Sequence, residues 1–470
     1  MRNQVKHIHF VGIGGSGMSG IAEVLVNLDF QVSGSDIQSG PVVQRLQQAG
    51  ITVLIGHAAE NIKGADVVVV SSAINLKNPE VAEALANNIP VIPRAEMLGE
   101  LMRFQKGIAI AGTHGKTTTT SLVAATLMAG QMDPTFVVGG LVNSANTNAK
   151  LGKGEYLVAE ADESDASFLN LQPDIVVVTN IDADHMSTYD GDFGKLTDTF
   201  VAFIQNIPFY GLAVLCEDDD NIRTIKPQIH KPILTYGFSE NADIQARNIS
   251  QAGATMRFDV HFKQREPLLG VELAMPGKHN ILNSLAAIGI AYHLEVDDAA
   301  IYTALRNFAG IGRRFQHLGD IAAKNGSATV IDDYAHHPRE LHATLEAARG
   351  CWPERRLVTV FQPHRYTRTY ELFDDFVHEL AGCEQLLICE VYPAGETPIA
   401  GADGRALCRA IRALGKVNPV FVPDVLALPQ TLESLLQDQD VVLTLGAGSI
   451  GKAANELAEA MSVENAGEDT

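Results

Sequence analysis

The chain is 470 residues long, 46% hydrophobic and 19% charged, with a formal net charge of −21. On a rule of roughly one domain per ~150 residues the length predicts about three domains, and the composition is that of an ordinary globular protein. The acidic balance excludes a broad nucleic-acid-binding face, which needs clustered Lys and Arg, though not a local basic pocket for a small phosphorylated ligand.

The cysteines Cys216, Cys351, Cys383, Cys389 and Cys408 form no C-x-x-C pair and are odd in number. They read as thiols of a reducing cytosol. No apolar run approaches the roughly 18–20 residues of a membrane span, and the start, MRNQVKHIHFVGIGG, lacks a signal-peptide core. A cytoplasmic protein is expected.

Val5 to Val11 reads as a first parallel strand and runs into Gly12-Ile13-Gly14-Gly15-Ser16-Gly17, a match to G-x-G-x-x-G, followed by a helical stretch from Met18 to Leu28. A second strand, Gln31 to Ser35, ends at Asp36, where a Rossmann unit keeps its acidic residue. The glycines permit a tight turn and the helix N-terminus faces a diphosphate. NAD, FAD and nucleoside diphosphate sugars all carry that diphosphate, so the motif leaves the ligand open. Short strands at Ile51–Ile55, Val67–Val70 and Pro90–Arg94 continue the pattern. Ser71 and Ser72 follow the fourth strand of this unit, Val67–Val70, at its carboxyl end, where open α/β sheets collect ligands. A helix from Met97 to Phe104 leads to a boundary near Gln105–Gly107.

The second unit opens with an apolar run, Gly107 to Ala111, then GTHGKTTTT from Gly112 to Thr120, then a helical pattern. Strand, glycine loop and helix present backbone N–H groups to an anion. Lys116 would reach the β/γ-phosphates of a nucleotide, and the Thr117 hydroxyl would bind Mg²⁺. The strict G-x-x-x-x-G-K-[ST] template fails by one glycine, because its first position falls on Ile110. Tyr156–Ala159 is a strand ending in Glu160-Ala161-Asp162-Glu163-Ser164-Asp165; four acids in six residues repel one another unless cations sit there, or else the run is simply solvated. Asp174–Val178 is another buried-type strand, followed by Asp182, Asp184 and His185, a candidate ligand group or a packed histidine.

A strand from Phe209 to Leu215 and alternating strands between Asn241 and Val271 extend the sheet. Met275-Pro276-Gly277-Lys278-His279-Asn280 then opens a helix from Ser284 to Leu294. His279, Asn280 and Asn283 fall within one helical turn, and an Asn amide pairs with the N6/N7 edge of adenine; a plain helix cap is the alternative. Arg313 and Arg314 stand in GIGRRFQ at the second boundary. In the third unit, strands at Ala328–Asp332 and Arg356–Phe361 end in DDYAHHP and QPHRYTR, two polar clusters at carboxyl ends. Further strands are expected at Gln385–Cys389 and Val441–Leu445. Gly446 to Gly451 is a second G-x-G-x-x-G without an acidic partner strand and reads as a structural turn.

GIGGSGMSGIA, GTHGKTTTT, the acidic strand end at Glu160, DADHM around His185, PGKHNILNSLAA, GRRFQ, DDYAHHP and FQPHRYTR occur in that order across the whole chain. Each is of moderate specificity; the ordered set resembles the Mur ligase family. The resemblance implies an α/β fold of three domains: a Rossmann-like UDP-sugar domain over 1–106, a central P-loop ATPase over 107–314, and a Rossmann-like domain over 315–470 that completes the ATP and amino-acid site. It implies ATP-dependent ligation of L-alanine to UDP-N-acetylmuramate through an acyl phosphate, in peptidoglycan synthesis in the cytoplasm, by a monomer or homodimer without nucleic acid or membrane.

Site residues follow from the same resemblance. Gly112, Thr113, His114, Gly115, Lys116, Thr117 and Thr118 would bind ATP, with Thr117, Glu160 and His185 on Mg²⁺ (Mn²⁺ being an alternative metal). Asn283 would read adenine beside His279 and Asn280, Arg314 would approach the γ-phosphate and Asp333 the ribose. Gly14, Gly15, Ser16, Gly17, Ser71, Ser72 and Arg94 would take the UDP-sugar; His336, Arg365 and Arg368 the amino acid. Several members carry a modified lysine on the helix after the metal histidine. Lys195 lies there but is not matched to it and stays outside the site. Three rivals remain at this point: a sister ligase that adds a tripeptide to the same UDP-sugar, an NAD-dependent oxidoreductase, and a non-catalytic nucleotide-binding regulator.

Overall fold

The computed structural model describes residues 1, 4–71, 74–142 and 147–461; of residues 16, 140–142 and 147 only the backbone is described. Ser72 and the side chain of Ser16, both expected at the UDP-sugar site, therefore lie outside the described part. Within it, no helix is long and apolar enough to cross a membrane.

The first sheet has five strands: β1 (His7–Val11), β2 (Gln31–Asp36), β3 (Thr52–Ile55), β4 (Val67–Val70) and β5 (Val91–Pro93), in the order β3-β2-β1-β4-β5. Every pairing is parallel. The order reverses between β1 and β4, which is where a doubly wound sheet opens a ligand crevice. The helix expected from Met97 starts earlier, at Arg94, directly after Pro93 ends the strand.

The second sheet has ten strands: β6 (Lys106–Ala111), β7 (Thr135–Val142), β8 (Thr147–Lys150), β9 (Tyr156–Glu160), β10 (Ile175–Val178), β11 (Leu212–Cys216), β12 (Ile233–Gly237), β13 (Ile244–Ala252), β14 (Thr255–Phe262) and β15 (Leu268–Leu273). Their order is β15-β14-β13-β12-β11-β10-β6-β9-β7-β8. The parallel centre, β10-β6-β9, carries the phosphate loop, the acidic strand end and the DADH loop on three adjacent strands. These strands are apolar on both faces because both faces are covered. The sequence reading missed β7, β8 and β12. It also began β11 too early: Phe209 and Tyr210 stand 85% and 67% exposed before the strand.

The third sheet has six strands: β16 (Gln316–Ala323), β17 (Gly326–Asp333), β18 (Leu357–Phe361), β19 (Gln385–Cys389), β20 (Val420–Val422) and β21 (Val441–Leu445), in the order β16-β17-β21-β18-β19-β20. Only β16, antiparallel to β17, departs from the parallel rule among its pairings. Two apolar layers cover its faces, one around Phe361, Phe376 and Leu407, the other around Val360, Leu387 and Leu432.

By contact density the chain forms two compact units, one of residues 1–249, 257–273 and 280–309, the other of residues 250–256, 274–279 and 310–470. The first two sheets share one unit. Within it Arg45 donates to Asn148 Oδ1 at 2.7 Å and Arg94 to Asp162 Oδ2 at 3.4 Å.

Candidate active site

The phosphate loop is held by the loop after β10. Thr113 N donates to the Asn180 carbonyl at 3.1 Å, and His114 N to Asn180 Oδ1 at 2.8 Å. Thr179 Oγ and Asn180 Nδ2 return bonds to the His114 carbonyl at 2.6 and 3.0 Å. His114 Nε2 lies 3.2 Å from Asp182 Oδ2. Two positions in this clamp require glycine. Gly112 has φ +124° with a Cβ overlapping Thr179 Oγ, and Gly115 has φ +83° with a Cβ 2.6 Å from Asn283 Oδ1.

Helix Lys116–Ala129 starts directly after Gly115, so its N-terminal N–H groups open toward the loop. Thr118, Thr119 and Thr120 are buried in its first turns, Thr119 donating to Asn283 Oδ1 at 3.2 Å and Thr120 to the Lys116 carbonyl at 2.8 Å. The Thr117 hydroxyl has no protein hydrogen-bond partner among the described residues. Thr117 is half buried, so this hydroxyl is open to water or to a metal ion.

Lys116 is enclosed. Its Nζ donates to the Gly112 carbonyl at 2.6 Å, to the Thr113 carbonyl at 3.2 Å and to both Glu163 oxygens at 2.9 Å. Glu163 is 2% exposed, and its own carbonyl accepts from the Tyr189 hydroxyl. Burial pushes the Glu163 carboxyl up despite the ammonium beside it. For Lys116 burial acts downward, and Glu163 and Asp162 overcome it, so the side chain stays charged. Glu163 was visible in the sequence only as one acid of four; nothing in its spacing marked it as the lysine's partner.

Glu160 ends β9 with Oε1 accepting from Gly139 N at 2.8 Å, which leaves Oε2 for a cation. A Cβ at position 139 would come within 2.8 Å of that oxygen. His185 adopts φ +56° after β10, with its Nε2 3.5 Å from Asp184 Oδ2. Thr117, Glu160 and His185 thus follow the carboxyl ends of three adjacent strands. A hydroxyl, a carboxylate oxygen and an imidazole at one sheet edge fit a divalent cation with oxygen-rich ligation. Lys195 is exposed and paired with Asp190 at 2.6 Å.

Asn283 does not stand apart as a base reader. Its Oδ1 accepts from Thr119, its Nδ2 donates to Asn280 Oδ1 at 3.1 Å, and it packs against Gly115. One N–H and one lone pair remain for a ligand. His279, four residues before Asn283 on helix Lys278–His293, is pushed down to about 4 by burial and is neutral at pH 7.

At the glycine loop of the first sheet, Gly12 has φ +79° and Gly15 caps helix Ser16–Asn27. Asp36 is engaged by the loop itself: Gly14 N donates to Asp36 Oδ2 at 2.8 Å, and Gln38 N to Oδ1 at 3.3 Å. Ser71 Oγ lies 3.9 Å from the Cβ position of Gly12, and Arg94 Nη1 3.0 Å from that of Gly17. Arg94 therefore touches both the glycine-loop helix and, through Asp162, the acidic strand end.

In the other unit the two arginines of GRRFQ separate. Arg313 is spent on structure, bonding Asp332 Oδ2 at 2.9 Å and the Gly446 carbonyl. This is also why Gly446–Gly451 acts as a packed turn: a side chain at Gly451 would overlap Arg313. Arg314 only lies over the Tyr334 ring at 5.1 Å, and its guanidinium has no hydrogen-bond partner among the described residues. Asp333, expected at the ribose, has Oδ2 accepting from Phe315 N at 2.7 Å and Oδ1 from Ala335 N at 2.8 Å. Burial pushes its carboxyl up to about 6, with Arg314 acting against that.

His336 Nδ1 lies 2.9 Å from the Tyr334 carbonyl, and rings continue through His364 to Tyr392, stacked at 5.5 Å. Burial pushes His364 down to about 3, and the neighbouring His336 and arginines add to it. Arg368 is 6% exposed with Nη1 3.4 Å from His364 Nδ1, whereas Arg365 is half exposed, 3.9 Å from Glu396. Of the two arginines expected at the amino acid, one guanidinium is buried and the other open.

Three family models match the chain in order: Mur ligase family, catalytic domain over residues 7–106; Mur ligase middle domain over 110–291; and Mur ligase, glutamate ligase domain over 313–448. UDP-N-acetylmuramate–L-alanine ligase of Aromatoleum aromaticum is 57% identical over 465 residues, 97% of this chain and 99% of that protein. The enzyme of the same name from Bordetella avium is 56% identical over 98% of this chain and all of that protein. Among solved structures, UDP-N-acetylmuramate-alanine ligase from Thermotoga maritima superposes with a TM-score of 0.82 at 28% identity, over 99% of this chain and 100% of the other. A murein peptide ligase from Psychrobacter arcticus gives 0.70 at 25% identity, over 97% of this chain and 99% of the other. With three models of the family matched in order between residues 7 and 448, and its phosphate loop built as described, the chain belongs to the Mur ligase family.

Proposed function

We propose that this protein ligates L-alanine to UDP-N-acetylmuramate with ATP, giving UDP-N-acetylmuramoyl-L-alanine, ADP and phosphate, as a cytoplasmic enzyme of peptidoglycan synthesis. The observation that carries the reading is end-to-end identity of 56–57% to UDP-N-acetylmuramate–L-alanine ligases, on a chain whose phosphate loop, acidic strand end and DADH loop share one sheet edge. We assign residues 1–106 to the UDP-sugar, 107–314 to ATP, and 315–470 to completing the ATP and amino-acid sites.

A carboxylate is a poor electrophile until phosphorylated, and moving a γ-phosphoryl group is chiefly positioning and charge neutralisation. Lys116, held by its loop carbonyls and Glu163, would bind the β/γ-phosphate oxygens, and Arg314 would meet the γ-phosphate. Thr117, Glu160 and His185 would hold Mg²⁺, which neutralises phosphate charge when bound. Asn283, with His279 and Asn280 beside it, would bind adenine, and Asp333 the ribose or the loop that carries Arg314. Gly14, Gly15, Ser16, Gly17, Ser71, Ser72 and Arg94 would take the UDP-sugar; His336, Arg365 and Arg368 would orient the amino acid for attack on the acyl phosphate.

The engagement of Asp36 by the glycine loop weighs against NAD, since the acid that would bind an adenosine ribose is already accepting from Gly14. Phosphate release measured with UDP-N-acetylmuramate, ATP and each amino acid in turn tests the reading. L-Alanine should give the highest kcat/KM; release driven by a tripeptide and not by L-alanine, or saturable NAD binding, would overturn it.

A further inference from the structure

The turn after β18 is held in a conformation that its sequence does not favour. Arg365 has φ +69° and ψ 136°, a region of the backbone map that side chains rarely enter, at the start of helix Tyr366–Glu371. Such strain persists only where surrounding contacts over-determine it, and the loop after β19 supplies them. Tyr392 N donates to the Pro363 carbonyl at 2.8 Å and Arg365 N to the Tyr392 carbonyl at 2.9 Å, so main-chain bonds to Tyr392 flank His364. Glu396 caps the helix in place of Arg365: its Oε2 accepts from Thr367 N at 3.0 Å and its Oε1 from the Thr367 hydroxyl at 2.8 Å.

This bridge sets two rings face to face. His364 and Tyr392 stack with centroids 5.5 Å apart and planes 9° from parallel. The Gly446–Gly451 turn presses on the same tyrosine, since a Cβ at Gly448 would come within 2.6 Å of Tyr392 Cβ and Cγ. No other residue lets the turn approach so closely. The second G-x-G-x-x-G of the chain therefore seats a side chain, and Tyr392 cannot move toward Gly448 without a clash.

The edge of His364 meets the buried guanidinium, with Arg368 Nη1 3.4 Å from His364 Nδ1. Arginine only donates, so Nδ1 accepts and the ring carries its proton on Nε2. Burial, with His336 and the arginines adding to it, pushes His364 down to about 3, so the ring is neutral at pH 7. A neutral ring does not compete with Arg368 for a carboxylate. It offers bulk instead, fixed at its edge by Arg368 and at its face by Tyr392, with His336 in edge contact at 5.9 Å. A carboxylate held by Arg368 brings its α-carbon beside this ring, and a long substituent on that carbon needs the ring to yield.

We propose that Tyr392, seated by Gly448, backs His364 as the limit on side-chain size in the amino-acid site, so that alanine is taken in preference to longer amino acids. His364 is the contact residue; Tyr392 and Gly448 are positioning residues. The inference rests on the ligase reading and on Arg368 at the substrate carboxylate.

Phosphate release by the full-length protein with UDP-N-acetylmuramate and ATP tests it, driven by L-alanine or by L-2-aminobutyrate, in the natural chain, Tyr392→Phe, Tyr392→Ala and Gly448→Ala. The two amino acids differ by one methylene, which a fixed pocket discriminates by roughly 10- to 200-fold in kcat/KM. Tyr392→Phe keeps the stacked ring and should keep that ratio. Tyr392→Ala should reduce it by about tenfold, much of what one methylene is worth, chiefly through a lower KM for L-2-aminobutyrate and with the KM for ATP unchanged. Gly448→Ala, which displaces the tyrosine, should move the ratio in the same direction. Tyr392 is 38% exposed, so its truncation leaves the core in place. A merely structural role would slow both amino acids alike. An unchanged ratio in Tyr392→Ala, or a ratio lost equally in Tyr392→Phe, would overturn the inference. No phosphate release by the natural chain with either amino acid would instead overturn the ligase reading.

Discussion

Replacing Lys116 by Met removes the ammonium that holds two loop carbonyls and both Glu163 oxygens, while keeping most of the side chain's volume. Glu163, 2% exposed, is left as a buried carboxylate without a counter-charge. Breaking such a pair costs about 3–5 kcal/mol. The cost has a ceiling, because Glu163 can take up a proton instead. From an ordinary glutamate pKa, protonation at pH 7 costs about 3.7 kcal/mol, and at pH 5.5 about 1.6 kcal/mol. The sign follows from linkage: the folded-state pKa of Glu163, already raised by burial with Lys116 present, rises further above its unfolded value in the variant, so the folded variant binds the extra proton over a wider pH range. Its stability is therefore preserved at low pH and lost as pH rises. Urea denaturation should show the deficit of Lys116→Met growing by up to about 2 kcal/mol between pH 5.5 and 7, and Lys116→Met/Glu163→Gln should abolish that dependence. A deficit independent of pH, or a double variant no more stable than the single, would refute the pairing as the source of the effect.

Arg314→Ala should lower kcat for phosphate release at least about 100-fold with the denaturation midpoint lowered far less than in Arg313→Ala. Arg313→Ala should instead destabilise by about 3 kcal/mol, because it strands the fully buried Asp332 carboxylate; the two are separated by measuring rate and urea stability side by side. Arg368→Lys should raise the KM for L-alanine more than Arg365→Lys does, with the KM for ATP unchanged in both, since only Arg368 is buried in the ring cluster; steady-state kinetics with each substrate varied reads this out. Glu160→Ala and His185→Ala should each raise the Mg²⁺ concentration for half-maximal rate by roughly tenfold or more through loss of a ligand atom, measured by metal titration at saturating ATP.

The parallel core was legible because strands buried on both faces read as unbroken apolar runs: Val67–Val70, Ile175–Val178 and Val441–Leu445 were each placed to within a residue. Most of the misses share a physical cause. β8, β16 and β20 are sheet edges, where one side of the ladder is unpaired and neither face need be apolar, and β7 lies next to one; β12 is interior, but its ILTYG carries only two aliphatic residues and so gives no unbroken apolar run. At the N-terminal strand, HIHFV was read by its apolar residues, whereas its histidines belong to a buried polar network. No periodicity could show that, because the partner, Glu80, lies 71 residues further along the chain from His9.

The site was legible by residue type but not by role. Asp36, Asp333, Arg313 and Asn283 are of the types that bind ribose, phosphate or adenine, and each has most of its polar atoms committed to the protein: Asp36 to Gly14, Asp333 to Phe315 and Ala335, Arg313 to Asp332 and Gly446, Asn283 to Thr119 and Asn280. Thr117, Arg314 and one oxygen of Glu160 keep atoms that the described protein does not use. Hydrogen-bonding capacity is finite, so atoms already paired in a preorganised site can serve a ligand only by breaking what holds the loop. Subtracting the paired atoms divides the acids and arginines into those that shape the phosphate loops and those left to meet the substrate. In GRRFQ two adjacent, chemically identical side chains fall on opposite sides of that division, which no reading of spacing alone could have separated.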